Sequence, residues 1–193
     1  MTRAFVALLL DDAVRASVDA EIARLRPWSR AVAWVPPANL HVTLKFLGEQ
    51  PDARLADATA ALAEAASDAS SFDLAFHGLG AFPGLERPRI LWIGMAEGAA
   101  AARAVQARLD AALERRGFPR DDRPWHPHLT IGRVFDERRW RREAEPGLYP
   151  AIAEASRRSF GAVTVSHVSL MRSDLSPRGA RYRELERAAL GGS

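Results

Sequence analysis

Apolar positions along the chain fall into short runs with two distinct periods. Arg3 to Leu10 is a continuous apolar stretch closed by Asp11 and Asp12, which predicts a buried strand. Asp11 can cap the segment that follows, where Val14, Val18, Ile22 and Leu25 recur at helical spacing until Pro27. Ala31 to Val35 and Leu40 to Leu47 read as strands, the first closed by Pro36-Pro37 and the second by Gly48. Pro51 opens an Ala-rich helix to about Ala69. Phe72, Leu74 and Phe76 alternate with Asp73 and Ala75, and a Gly/Pro-rich turn from Gly78 to Pro88 joins this strand to another over Arg89–Met95, making a hairpin. Glu97 to Arg116 is the clearest helix, striped by Val105, Leu109 and Leu113 and ended by Gly117.

In the last third, Phe118 to Pro127 reads as a polar loop and His128 to Phe135 as a strand. A charged turn holds Arg138, Arg139, Arg141 and Arg142, and a short helix follows over Pro150–Arg158. Phe160 to Leu170 alternates as one strand, and the tail from Ser176 to Ser193 holds a short strand or helix before fraying. Strands outnumber helices and the helices are irregularly spaced. That pattern predicts an α+β fold with largely antiparallel sheet rather than βαβ winding.

A chain of 193 residues buries roughly 70% of its unfolded surface without a disulfide or metal staple. It contains no cysteine, which excludes disulfides, thiolate zinc sites, iron–sulfur clusters and a cysteine nucleophile. Net charge is +3, and Lys45 is the only lysine among 27 basic residues. Arginine presents a rigid fork of donors to phosphate oxygens, so nucleic acid is a candidate partner, although a compositional bias toward Arg and Ala explains the same count. The N-terminal apolar run is too short for a signal peptide and lacks a small-residue cleavage site. No stretch approaches the roughly 18 apolar residues of a membrane span. The expectation is a soluble, cytoplasmic monomer.

Two segments share one pattern: His41-Val42-Thr43-Leu44 and His128-Leu129-Thr130-Ile131, 87 positions apart in a chain with five histidines. In a strand, residues i and i+2 face the same side. Each segment therefore presents an imidazole beside a hydroxyl, fastened by aliphatic residues on the opposite face. If the two strands meet about a pseudo-two-fold, two imidazoles and two hydroxyls converge on one cleft. One imidazole can then be neutral while the other is protonated, so one takes a proton and the other gives one. The hydroxyls can donate to non-bridging phosphate oxygens. Hydrolysis of a strained cyclic phosphate suits this set without a metal.

Alternation puts Lys45, at i+4 from His41, on the cleft side. Arg133 is of odd parity with His128, so it reaches the cleft only if Gly132 permits a twist or bulge or if it enters from the strand end. His126 and His128 form a His-x-His pair that could bind a metal with His41, but Pro127 breaks the strand and no acid lies at matching spacing. His77 and His167 read as structural strand residues, the Arg138–Arg142 cluster as a solvated charged turn, and Trp34 and Trp125 as packing anchors.

The two motifs with their surroundings resemble the 2H phosphoesterases, in particular the RNA 2′,3′-cyclic phosphodiesterases formerly called 2′-5′ RNA ligases. The similarity extends over Trp34-Val35-Pro36, Asn39 to Glu49, His126 to Arg133, Arg3 to Leu8, Gly78 to Pro83, Leu170 to Leu175, and Gly179 with Tyr182. It implies a single bilobal domain over residues 1–193, with two pseudo-symmetric α+β lobes whose antiparallel sheets face a central cleft. It implies metal-independent opening of RNA 2′,3′-cyclic phosphate ends to 2′-phosphates, with reverse 2′-5′ ligation, and no cofactor. His41 and His128 become the acid–base pair, and Thr43, Thr130 and Arg133 the phosphate ligands. Phe46 would touch the terminal nucleotide, and Lys45 is a further candidate for RNA phosphate. Gly132 stands where alanine is common in the family. Competing readings are a phosphodiesterase acting on 2′-5′ oligonucleotides or small cyclic nucleotides, and a non-catalytic binder of RNA ends.

Overall fold

The computed structural model of the chain describes residues 1–177 and 179–191. Its elements run β1 (Thr2–Leu9), α1 (Asp12–Leu25), β2 (Val32–Trp34), β3 (His41–Gln50), α2 (Asp52–Ser67), β4 (Phe72–Phe82), β5 (Ile90–Met95) and α3 (Ala99–Arg115). They continue with β6 (Leu129–Val134), α4 (Glu137–Glu143), α5 (Tyr149–Ala155), β7 (Ser159–Val165), β8 (His167–Ser176) and β9 (Gly179–Ala189). None of the helices among the described residues is long and apolar enough to cross a membrane.

Local chemistry explains the helix ends. Asp11 caps α1 by accepting the Val14 N–H at 2.8 Å. The helix buries Val14, Val18, Ile22 and Leu25 along one stripe. At the end of α3, Gly117 takes φ +76°, which a side chain would resist. The Phe118 N–H bonds the Leu113 carbonyl and the Gly117 N–H bonds the Glu114 carbonyl, so the last carbonyls are satisfied and the chain turns back.

The strands form two sheets, ordered β3-β1-β8-β9 and β2-β6-β5-β4-β7. Every pairing is antiparallel. Each sheet draws on both ends of the chain: β2 lies beside β6, and β8 and β9 close the sheet that begins with β1. The fold is α+β, two antiparallel lobes about a cleft. The main apolar core holds Val6, Leu8, Val42 and Leu44 from the first sheet together with Leu74, Phe76, Leu91 and Ile131 from the second. On the other face of the first sheet, toward the cleft, Phe5, Ala7 and Met171 make a small separate cluster with Leu9 and Tyr182.

Several expectations from the alternation pattern need correction. The stretch 160–170 is two strands, β7 and β8, that belong to different sheets. Alternation runs on across Ser166 because the chain stays extended while it changes partners. β3 continues past Gly48, and β4 runs through Gly78 to Phe82, so the turn occupies only 83–89. The Arg138–Arg142 segment is helical rather than a turn: Asp136 caps α4 at the Arg139 N–H, and Trp140 is fully buried with its indole N–H on the Leu85 carbonyl. Its arginines are solvated and partly paired, Arg139 with Glu143 and Arg141 with Glu137. The tail is the eleven-residue strand β9, paired with β8 along its length. The fraying expected at its end falls on 192–193, outside the described residues.

Candidate active site

β3 carries the first His-x-Thr segment and β6 the second from Leu129 on, with His128 directly before it. The cleft between the sheets, about 630 Å³, is lined by His41, Thr43, His128, Thr130, Phe46 and Arg133. Val42 and Leu44 below the first pair, and Leu129 and Ile131 below the second, are all at most 1% exposed. Alternation therefore does what the spacing predicts: core residues hold each strand by one face and the imidazole and hydroxyl project from the other.

Both strands then break their alternation at the same point. Against β1, Thr43 pairs with Ala7 but Lys45 pairs with Val6, so Leu44 is an extra residue. Against β5, Thr130 pairs with Trp92 but Gly132 pairs with Leu91, so Ile131 is extra. Each is a β-bulge, which puts two successive residues on the buried side: Leu44 with Lys45, and Ile131 with Gly132. The residue after the bulge returns to the cleft. That residue is Phe46 in one strand and Arg133 in the other, both exposed. Of the two routes open to Arg133, the bulge is the one taken.

The same bulge overturns the expected orientation of Lys45. Its side chain is 2% exposed, and the ammonium is held by Asp110 of α3 at 2.6 Å and by Asp121 at 3.0 Å. Lys45 forms part of the cleft wall, but its charge is already met by two carboxylates.

The two histidines are held alike. The Nδ1–H of His41 donates to the Asn39 carbonyl at 2.7 Å, and that of His128 to the His126 carbonyl at 2.7 Å. A carbonyl only accepts, so Nδ1 carries the hydrogen and Nε2 is left as the working nitrogen. Nε2 of His41 accepts from the Thr43 hydroxyl at 3.0 Å. Each ring also leans on aromatics: Phe5 at 4.8 Å and, perpendicular to the imidazole, Tyr182 at 5.2 Å beside His41, Phe82 at 5.3 Å beside His128. Burial among these rings lowers both imidazole pKa values, the carbonyl bonds oppose it, and the positive charge of Arg133 lowers both further. His126 adds to the effect on His128. Arg133 therefore acts on both imidazoles at once.

Other expected residues have structural surroundings. The Trp125 indole N–H donates to the Thr43 carbonyl at 2.9 Å, fastening the loop before the second motif to the first motif's strand. Trp34 packs over Gly132. His77 lies in β4, and His167, at the start of β8, meets the Ser166 hydroxyl. Among the described residues, no group of three or more His, Cys, Asp or Glu side chains is placed to hold a metal. Residue-by-residue reasoning misses Asn39, Phe5, Tyr182 and Phe82. The role of Asn39 toward His41 belongs to its backbone carbonyl, which leaves no side-chain signal; the aromatics come from strands distant in sequence.

The family model of the 2'-5' RNA ligase superfamily matches residues 14–177. A protein of Archaeoglobus fulgidus named RNA 2′,3′-cyclic phosphodiesterase is 35% identical over 183 residues, 95% of this chain and 97% of that one. One of the same name from Methanothermobacter thermautotrophicus is 34% identical, covering 95% and 96%. A crystal structure of a Thermus thermophilus protein superposes with a TM-score of 0.81 at 30% identity, covering 98% of each chain. With paired histidines at the heads of matching bulged strands and a family match over most of its length, the chain belongs to the 2′-5′ RNA ligase superfamily, within the 2H phosphoesterases.

Proposed function

We propose that this chain hydrolyses 2′,3′-cyclic phosphate ends of RNA to 2′-phosphates through its two histidines, without a metal. The observation that carries the reading is the matched setting of His41 and His128. Each imidazole has Nδ1 tied to the carbonyl two residues back and Nε2 as its working nitrogen, that of His41 against the Thr43 hydroxyl, with Arg133 acting on both. The relatives named RNA 2′,3′-cyclic phosphodiesterase support the choice of substrate.

One neutral imidazole takes a proton from water through Nε2 as the water oxygen bonds to phosphorus. The P–O3′ bond breaks, and the other imidazole, protonated, gives its Nε2 proton to the departing O3′. The product carries a 2′-phosphate and a free 3′-hydroxyl. Thr43 and Thr130 donate to the non-bridging oxygens, and Arg133 meets the charge that gathers there. With a 5′-hydroxyl in place of water, the same steps in the same direction bond O5′ to phosphorus as P–O3′ breaks, and form a 2′-5′ linkage. Lowered imidazole pKa values favour the neutral base near neutrality, and an anionic phosphate entering the cleft favours the protonated acid.

The test is hydrolysis of an RNA with a 2′,3′-cyclic phosphate end in excess EDTA, with the product phosphate located on O2′ or O3′. Turnover to the 2′-phosphate is expected. Full loss of activity in EDTA, or a 3′-phosphate product, overturns the mechanism.

A further inference from the structure

We propose that Arg3, at the outer end of the cleft, binds the phosphate linking the terminal nucleotide to the one before it, so that the site holds an RNA end in preference to a lone cyclic nucleotide. This rests on the RNA reading above. Thr2, Ala4, Val6 and Leu8 are buried on the core side of β1, so Arg3 shares the cleft face with Phe5 and Ala7. The Phe5 ring stands between the chemistry and the outside, 4.8 Å from the His41 ring and 6.1 Å from that of Phe46. Arg3 lies two residues further out on the same face, about 6–7 Å along the strand, the scale of one sugar–phosphate step.

The charge of Arg3 is available. Among the described residues, Arg3, Lys45 and Arg133 are the cations that line the cleft. Lys45 is spent on Asp110 and Asp121. Arg3 has no carboxylate within ion-pair distance among the described residues, although Glu49 stands directly opposite it on β3. Arg133 serves the reacting phosphate, which leaves Arg3 as the second anion contact among the described residues. Apolar surface accompanies it. Phe46 and Leu175, 61% and 66% exposed, both line this cleft. Exposed apolar groups beside an unpaired guanidinium suit successive bases and the phosphate between them.

The experiment compares binding of a dinucleotide ending in a 2′-phosphate with that of the mononucleotide 2′-phosphate, over a range of salt, for the native chain, Arg3→Gln and Arg3→Lys. The native chain is expected to prefer the dinucleotide roughly 10-fold or more, as a charged hydrogen-bonded contact allows. Arg3→Gln brings that ratio toward one and reduces the salt slope for the dinucleotide by about 0.7; Arg3→Lys restores most of both. A ratio and slope that Arg3→Gln leaves unchanged overturn the proposal. Turnover of the corresponding cyclic phosphates separates the two readings. Arg3-dependent binding without turnover of either substrate upholds the subsite and overturns the hydrolase reading. Turnover of both, at a ratio the variant does not alter, overturns the subsite.

Discussion

Phe46 and Arg133 occupy matching places in the two halves: each lies five residues after its histidine, and each is returned to the cleft by an extra residue inserted directly after the threonine. The backbones repeat, but the side chains do not. One half ends its motif in an apolar platform and the other in a fixed cation. A cyclic-phosphate end is itself lopsided, apolar at the base and anionic at phosphorus. On the proposed mechanism, this asymmetry gives the near-symmetric cleft one preferred direction for its substrate, so that two similarly held histidines can take different roles.

On the proposed mechanism each imidazole supplies one proton transfer, so removing either should lower kcat on a cyclic-phosphate RNA by about 100- to 10,000-fold. Because the two transfers serve one displacement, the double variant His41→Ala/His128→Ala should lose little beyond the worse single variant. Near-normal activity in either single variant would show that the pair does not work as assigned.

Arg133 offers a test free of turnover. Its charge disfavours a proton on either imidazole, so Arg133→Gln should raise the pKa of both His41 and His128, followed by NMR titration of the ring protons. Burial is the larger cause for each, so both should stay below the ordinary histidine value. On the proposed mechanism the limbs of the kcat/KM profile report these free-enzyme groups, and both limbs should move to higher pH in the variant. Titrations that stay put, or move down, would show that Arg133 does not act on the pair.

The paired motifs are legible in the sequence because strand alternation depends only on neighbours. The bulges are not: each is defined by register against β1 or β5, which lie far away in the chain. That is why alternation alone puts Lys45 on the wrong face and leaves Arg133 with two routes. The passage from β7 to β8 is hidden for a related reason, since a strand that changes sheets keeps its alternation. β9, with Arg181, Arg183, Glu184 and Glu186, reads only as a short strand or helix before a frayed end because an edge strand carries charge where an inner strand carries apolar residues. α4 reads as a turn because its buried face rests on one residue, Trp140.

The Lys45 ion pairs should be unequal in worth. Lys45→Met leaves Asp110, only 15% exposed, without its near partner, and loss of one member of a buried pair costs about 3–5 kcal/mol. Asp121 is 64% exposed, so Asp121→Asn should cost about 0.2–1 kcal/mol. Urea denaturation of the two variants would measure the contrast. Equal losses would mean that the loop carrying Asp121, also fastened through Trp125 to Thr43, contributes as much to stability as the buried pair.

Gly132 is the position where β2 presses on the second motif. A Cβ added there would sit 2.7 Å from Val32 Cγ1 and 3.2 Å from the Trp34 ring. Val32 is buried and branched at Cβ, so it has little freedom to swing aside. Gly132→Ala should therefore destabilise the chain by about 1–3 kcal/mol, the usual cost of overpacking, even though alanine is otherwise the better strand residue. Val32→Ala in the same chain removes the opposing methyl and should recover part of that loss, giving a favourable coupling of about 0.5 kcal/mol or more in a double-mutant cycle. Because Gly132 lies between Thr130 and Arg133, strain there should also lower kcat through Arg133, and the double variant should regain both stability and rate. Simple additivity of the two substitutions would mean that the Val32 contact does not set the packing of this bulge.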